Sequence, residues 1–329
     1  MKTPEQLKGA VRNIAEEKNL SAQAVLQTFM FERIIERLSL SQYQNIFILK
    51  GGLLISALLG IDERTTMDMD ATVKGLPMNE IAVQEAILDI LGQPVDDGIC
   101  FELISLDNIR EDDEYENFRA SIVAHYGKMN IPMKIDITTG DAITPREIQF
   151  LYPLTFEDRR IPVMAYPQET VIAEKYETII RRNVATTRSR DFYDLHLLFR
   201  LYQQNANWQL LKQAITNTAR KRESEHEIRN AKKIIQVIEQ SSTLKNGWKR
   251  YQRQNIYARD IEFEDTVETL KYLTEKLGLK MTEKYFEYFC GGRNSQIIKE
   301  AGIKYTASFD FKSSGLLSNI CKSLYPRGI

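Results

Sequence analysis

The sequence predicts a mixed α/β sheet domain followed by a helical bundle, and three observations carry that prediction. The first half alternates short apolar runs with amphipathic stretches, the pattern of strands and helices sharing one sheet. Those runs are joined by loops or hairpins after a helix, which suggests a mixed sheet and not a doubly wound parallel one. Three prolines, Pro153, Pro162 and Pro167, then punctuate the chain, and beyond them the apolar period turns helical. The predicted division is residues 1–160 and residues 161–329.

Taken in order, Thr3-Pro4-Glu5-Gln6 is a helix start: Thr3 caps, Pro4 suits the first helical position and Gln6 completes a capping box. A second helix is expected over 21–38, with Val25, Phe29, Ile34, Ile35 and Leu38 toward a core. A short strand over 46–49 leads through Gly51-Gly52 into a helix over 52–59. The strand over 67–73 follows, then an amphipathic helix over 79–91. Strands are expected over 100–106, 119–126 and 133–138, the first two separated by the acidic loop 111–116. Helices are expected over 168–182, 191–203, 208–221, 228–240 and 263–277. From about Met281 the pattern is interrupted by Gly291-Gly292, Gly302 and Gly315, and the tail is left unassigned.

With 44 Lys and Arg against 45 Asp and Glu, the net charge is −1, so any basic surface is local and offset elsewhere. Cys100, Cys290 and Cys321 are scattered and odd in number, which excludes a disulfide framework or a zinc pattern and fits a reducing cytosol. No apolar signal core or bilayer-length run is present, so the chain reads as soluble and cytoplasmic, with no membrane partner. His125, His196 and His226 lack ligand spacing, and no Ser-His-Asp set, P-loop or dinucleotide fingerprint appears. Tyr285, Phe286, Tyr288 and Phe289 suit stacking on bases or core packing, with packing the simpler reading.

The chemistry concentrates in KGGLLISALLGIDERTTMDMDATV, residues 50–73. On a strand, Asp68, Asp70 and Thr72 share one face. Two adjacent carboxylates repel unless a cation sits between them, and hard divalent cations prefer carboxylate oxygens. Gly51 and Gly52 open a helix whose bare N–H groups suit a phosphate. Asp136 in KIDIT points away from its flanking isoleucines and offers a third carboxylate, or else a solvated face residue. Lys50 and Arg64, beside Thr65 and Thr66, are phosphate contacts or exposed loop residues. Lys175 shares a face with Ile172, Ile179 and Arg182, and Arg181, Arg182, Arg188 and Arg190 crowd nearby, which suits a polyanion. Asp191 either joins this site or caps its helix, and Asp194 reads as an ion-pair partner of Arg190.

In order, KGG, R-T-x-M-D-M-D, K-I-D-I, I-A-E-K and R-D-F-Y-D-L resemble the AbiEii toxin family of nucleotidyltransferases, toxins of type IV toxin–antitoxin and abortive-infection systems; the resemblance covers roughly Phe47 to Phe199. It implies a polymerase-β-like nucleotidyltransferase domain followed by a helical domain. It implies Mg²⁺ and a nucleoside triphosphate, GTP or a pyrimidine triphosphate, with RNA as acceptor, notably tRNA ends. The consequence implied is arrest of growth or of phage propagation, and the partner an antitoxin with a winged-helix DNA-binding domain. Residue by residue, Asp68 and Asp70 occupy the metal pair, Lys175 the motif lysine and Asp191 the motif aspartate. Asp136 matches a less uniform motif. Gly51 and Gly52 match the opening turn, but Leu53 stands where many members carry a small hydroxyl residue, so only backbone contacts are expected there.

The sequence thus assigns catalysis to Asp68, Asp70, Asp136, Lys175 and Asp191. Metal goes to Asp68, Asp70 and Asp136, and phosphate contacts to Lys50, Gly51, Gly52, Arg64 and Arg182. Two alternatives stay open: nucleotidylation of a protein hydroxyl, and a catalytically silent nucleotide- or RNA-binding module.

Overall fold

A computed structural model describes residues 3–109 and 117–278. The acidic loop 111–116 and the tail from about Met281, with Cys290, Cys321 and the Tyr285–Phe289 aromatics, lie outside the described residues.

The chain opens with α1 (Pro4–Glu17) and α2 (Ala22–Leu40). The Thr3 hydroxyl accepts the Gln6 N–H and the Gln6 amide oxygen accepts the Thr3 N–H, which satisfies two donors that a helix start would otherwise leave bare. Then come β1 (Phe47–Lys50), α3 (Gly51–Leu59), β2 (Met69–Val73), α4 (Glu80–Leu91) and β3 (Cys100–Asn108). They are followed by β4 (Phe118–Tyr126), β5 (Met129–Thr138), β6 (Ile148–Pro153) and β7 (Arg160–Ala165).

The seven strands form one sheet in the order β3-β4-β5-β2-β1-β7-β6. The β2/β5 and β1/β7 pairs are parallel and the rest antiparallel, so the sheet is mixed, as expected. In β4, Phe118, Ala120, Ile122, Ala124 and Tyr126 are buried while the residues between them are half-exposed. Likewise Ile131, Met133, Ile135 and Ile137 of β5 face the core, where α2 and α4 pack. The opposite face of β4 and β5 stays open, and Arg119 and Asp136 stand on it. That alternation is what a half-covered sheet imposes.

Where the sequence reads a proline-punctuated linker, the structure has two strands, β6 and β7. Pro162 is tolerated because β1 pairs with β7 only at Met164 and Ala165, so its missing N–H faces no neighbouring strand. Helices follow: α5 (Gln168–Arg182), α6 (Ser189–Tyr202), α7 (Trp208–Lys221), α8 (Glu225–Arg229), α9 (Ala231–Gln240), α10 (Ser242–Gln254) and α11 (Phe263–Lys276). The helix expected over 228–240 is two helices broken at Asn230, and α10 was not foreseen. α6 packs on α3, which ties the helices to the turn after β1. No helix among the described residues is long and apolar enough to cross a membrane.

One core group has a measurable signature. Glu32 of α2 is fully buried, and one of its oxygens accepts the Thr155 N–H at 2.7 Å while the other has no partner among the described residues. Burial pushes its pKa up from 4.5 to about 7, against the opposing pull of Thr155 and Arg33. The native state therefore holds a proton that the unfolded state has released. Stability from this group is complete below about pH 4.5 and is lost as pH rises to 7, an amount of about 3 kcal/mol. Denaturant melts across that window should lose this slope in Glu32→Gln; an unchanged slope would show that Glu32 is ionised throughout.

Candidate active site

Strand register builds the site. Lys50 of β1 pairs with Asp70 of β2, Asp70 with Asp136 of β5, and Asp136 with Arg119 of β4. Register partners point to the same face, so four neighbouring strands present one row of charge: plus, minus, minus, plus. The two outer cations do not share themselves evenly. Arg119 grips Asp136 with two parallel bonds, Nε and one terminal nitrogen each at 2.7 Å. The Lys50 ammonium leans away to the Thr138 hydroxyl at 2.6 Å and to Asp141, whose carboxylate also accepts the Tyr166 hydroxyl at 2.7 Å.

Asp70 is left as the under-compensated member. Burial pushes its pKa up and Asp136 adds to that; Lys50, the Gly52 N–H and Lys175 pull against it. The Gly52 N–H donates to Asp70 at 3.3 Å, so the first turn of α3 is turned on this carboxylate. Asp68, just before β2, is exposed beside it.

Gly51 has φ +61°, and a Cβ there would overlap the Asp70 carboxylate. Gly51→Ala should therefore displace Asp70 and lower turnover at this site about 10²-fold, the scale of an ångström-sized misplacement. Turnover and nucleotide binding measured together test this, and turnover within twofold of the parent would refute it.

The facing wall comes from α5 and α6. Lys175 donates to Asp191 at 2.7 Å and pairs with Asp194 at 2.9 Å. Arg188 holds the other Asp191 oxygen at 2.6 Å, and Arg64 reaches Asp194 at 2.8 Å. Asp191 and Asp194 are one turn apart, so both face Lys175. Burial alone would raise both carboxyl pKa values; Lys175 and Arg188 outweigh it at Asp191, and Arg64 and Lys175 hold Asp194 at about 2. The two aspartates in turn outweigh burial at Lys175 and keep it charged.

All ten residues singled out from the sequence line one cleft of about 1550 Å³, which Arg119, Arg188 and Arg250 also line. Within it their places differ from several expectations. Arg64 is not an exposed loop residue: it is 1% exposed and paired with Asp194, a strut behind the wall. Asp194 pairs with Arg64 and Lys175, not with Arg190. Asp191 is not the cap, because α6 starts at Ser189 and Arg188 precedes it. Asp136 is held by Arg119, and among the described residues no three His, Cys, Asp or Glu side chains converge as a ready metal cage.

Arg119 was missed, yet a signal for it existed. The hairpin turn at Gly127-Lys128 pairs Tyr126 with Met129, and counting seven strand positions back from that pair places Arg119 opposite Asp136. Cys100 is exposed, and His125, His196 and His226 have partners of their own, with none of the four lining the cleft.

A family model described as nucleotidyl transferase AbiEii toxin, type IV TA system, matches residues 33–269. Among solved structures, the chain is similar to MenT4, a nucleotidyltransferase toxin from Mycobacterium tuberculosis H37Rv. The TM-score is 0.54 at 13% identity, with 89% of this chain and 97% of that chain covered. JHP933 from Helicobacter pylori matches with TM-score 0.47 and 16% identity, over 83% of this chain and 100% of that one. At such identity the likeness to MenT4 concerns the fold. No curated protein sequence matches the chain.

Proposed function

We propose, from the premise that this chain belongs to the AbiEii family of nucleotidyl transferase toxins of type IV toxin–antitoxin systems, that it transfers a nucleoside monophosphate to RNA, with tRNA as the favoured class. The observation that carries this reading is the charge row: an under-compensated Asp70 faces a lysine-centred cluster across one cleft. A half-buried carboxylate short of counter-charge, with exposed Asp68 beside it, is a donor set that fits Mg²⁺. Asp68 and Asp70 would hold that ion, which would supply positive charge against the negative charge that builds as the acceptor oxygen displaces pyrophosphate.

The chain's own groups do the rest. Lys175, held by two aspartates, presents a fixed ammonium to the phosphates, and preorganised charge of this kind acts without reorganisation. Lys50, at the start of α3, neutralises the floor next to Asp70. Residues 1–160 would carry the carboxylates and residues from 161 onward would supply Lys175 and Asp191.

RNA is favoured over a protein hydroxyl because Arg182, Arg190 and Arg250 line the cleft exposed, with no ion-pair partner among the described residues. Free arginines along a groove suit a phosphate backbone. The reading extends to a cytoplasmic toxin restrained by an antitoxin of winged-helix type, arresting growth or phage propagation. The test incubates protein, Mg²⁺ and total RNA with each labelled triphosphate in turn, then sequences RNA ends. Label on RNA ends supports the proposal. Label only on protein moves the acceptor to a protein hydroxyl, and no label under any triphosphate overturns transfer.

A further inference from the structure

We propose that Arg119 is a latch on Asp136: it withholds this carboxylate from the metal site until nucleotide phosphates draw the guanidinium away, so that cation and nucleotide load together. The inference rests on the metal–nucleotide reading above and adds an order of events to it.

Three observations carry it. First, Asp70 and Asp136 are register partners on adjacent strands, so Asp136 stands beside Asp70 on the same face, but both of its oxygens are already taken by Arg119. Second, Arg119 and Lys50 are the two cations of the row. Without Arg119, Asp68, Asp70 and Asp136 would crowd three negative charges beside a row whose remaining cation, Lys50, leans toward Asp141. Third, Arg119 is free to leave. Its side chain is 38% exposed, it stands on the open face of β4, and it lines the same cleft as Lys175. Its bonds to Asp136 are its only ones among the described residues. A planar guanidinium that binds a carboxylate bidentately binds a phosphate with the same geometry. The exchange is therefore like for like: Arg119 trades a carboxylate for a phosphate, and Asp136 trades a guanidinium for the divalent cation.

Arg119 acts through Asp136, so it is a positioning residue, and its readout is metal affinity without catalysis. Mn²⁺ binding is followed by electron paramagnetic resonance on the full chain, alone and with non-cleavable α,β-methylene analogues of the four triphosphates. In the parent, Mn²⁺ should bind weakly alone and at least about tenfold more tightly with an accepted analogue, the span of a typical coupling between two ligands. Arg119→Gln should bind Mn²⁺ at least about tenfold more tightly than the parent when nucleotide is absent, and the analogue should add little. Arg119→Lys, which restores the charge but not the fork, should fall between the two. A melting curve of each variant checks that the fold is kept.

If Arg119→Gln binds Mn²⁺ alone no more tightly than the parent, the latch is wrong. If instead Asp70→Asn binds Mn²⁺ with the analogue as well as the parent does, the metal site itself lies elsewhere and the latch falls with it.

Discussion

Asp70→Asn is expected to lower nucleotidyl transfer by at least about 10²–10³-fold, the scale of losing one charge-stabilising group at a transition state, while raising the melting temperature measured in chelator. The two effects have opposite signs for one reason. Asp70 is a half-buried carboxylate whose pKa is raised by desolvation first and by Asp136 next. A raised carboxyl pKa contributes stability only below the unfolded value, and that contribution is lost as pH rises through the folded value. At neutral pH the ionised group therefore opposes folding. Asparagine keeps the shape and can still accept the Gly52 N–H, without the charge. The proposed function gives the unfavourable charge a reason: a site that is to attract a cation has to leave a carboxylate unsatisfied. Growth arrest on expression, transfer by purified protein and thermal melting form the test. An Asp70→Asn protein as toxic as the parent would show that chemistry at this row is not how the chain acts.

The row also shows what the sequence could and could not reveal. Asp68 and Asp70 announce themselves by spacing, and Gly51-Gly52 by the turn that they make possible. Lys175 and Asp191 lie within one short stretch, so their company was legible even though Asp191 sits inside α6 and not at its cap. Register across non-consecutive strands was not legible. Lys50, Asp70 and Asp136 become neighbours only once β1, β2 and β5 are ordered in the sheet, and hydrophobic pattern does not fix that order. Arg119 was legible by counting through a hairpin, a local inference. The Arg64–Asp194 pair spans 130 positions and has no local signal.

Two kinds of element were hidden. β6 and β7 were masked by prolines that are harmless where no neighbouring strand needs the N–H. α10 is polar and carries Gly247, so its three buried anchors, Leu244, Trp248 and Tyr251, are easily passed over. Yet their spacing of four and three, after the capping Ser241, is helical.

The largest loss of stability is expected from Asp194→Ala. Asp194 is fully buried on α6, and its partners come from two other places: Arg64, 1% exposed, from the connector before β2, and Lys175 from α5. Removing the carboxylate strands a buried guanidinium, which typically costs about 3–5 kcal/mol. For a chain of this size that is a fall in melting temperature of roughly 10 °C. The loss should also depend on pH. Asp194 is held at about 2 by Arg64 and Lys175 against burial, so its contribution is whole above the ordinary aspartate value of 3.8 and is lost as pH falls toward 2. The gap between parent and variant should close over that acid range. Arg64→Met/Asp194→Leu should recover much of the stability, because an apolar pair leaves no stranded charge. Lys175→Met separates the two roles of the cluster. It removes the ammonium proposed to meet the triphosphate yet leaves Arg64 on Asp194 and Arg188 on Asp191. Transfer should then collapse with a smaller fall in melting temperature than Asp194→Ala gives. The two bonds from Lys175 to buried aspartates mean that this smaller fall is not zero. If Asp194→Ala melts within a degree of the parent, the buried cluster does not tie α5 and α6 to the connector, and Lys175 must be positioned by something else.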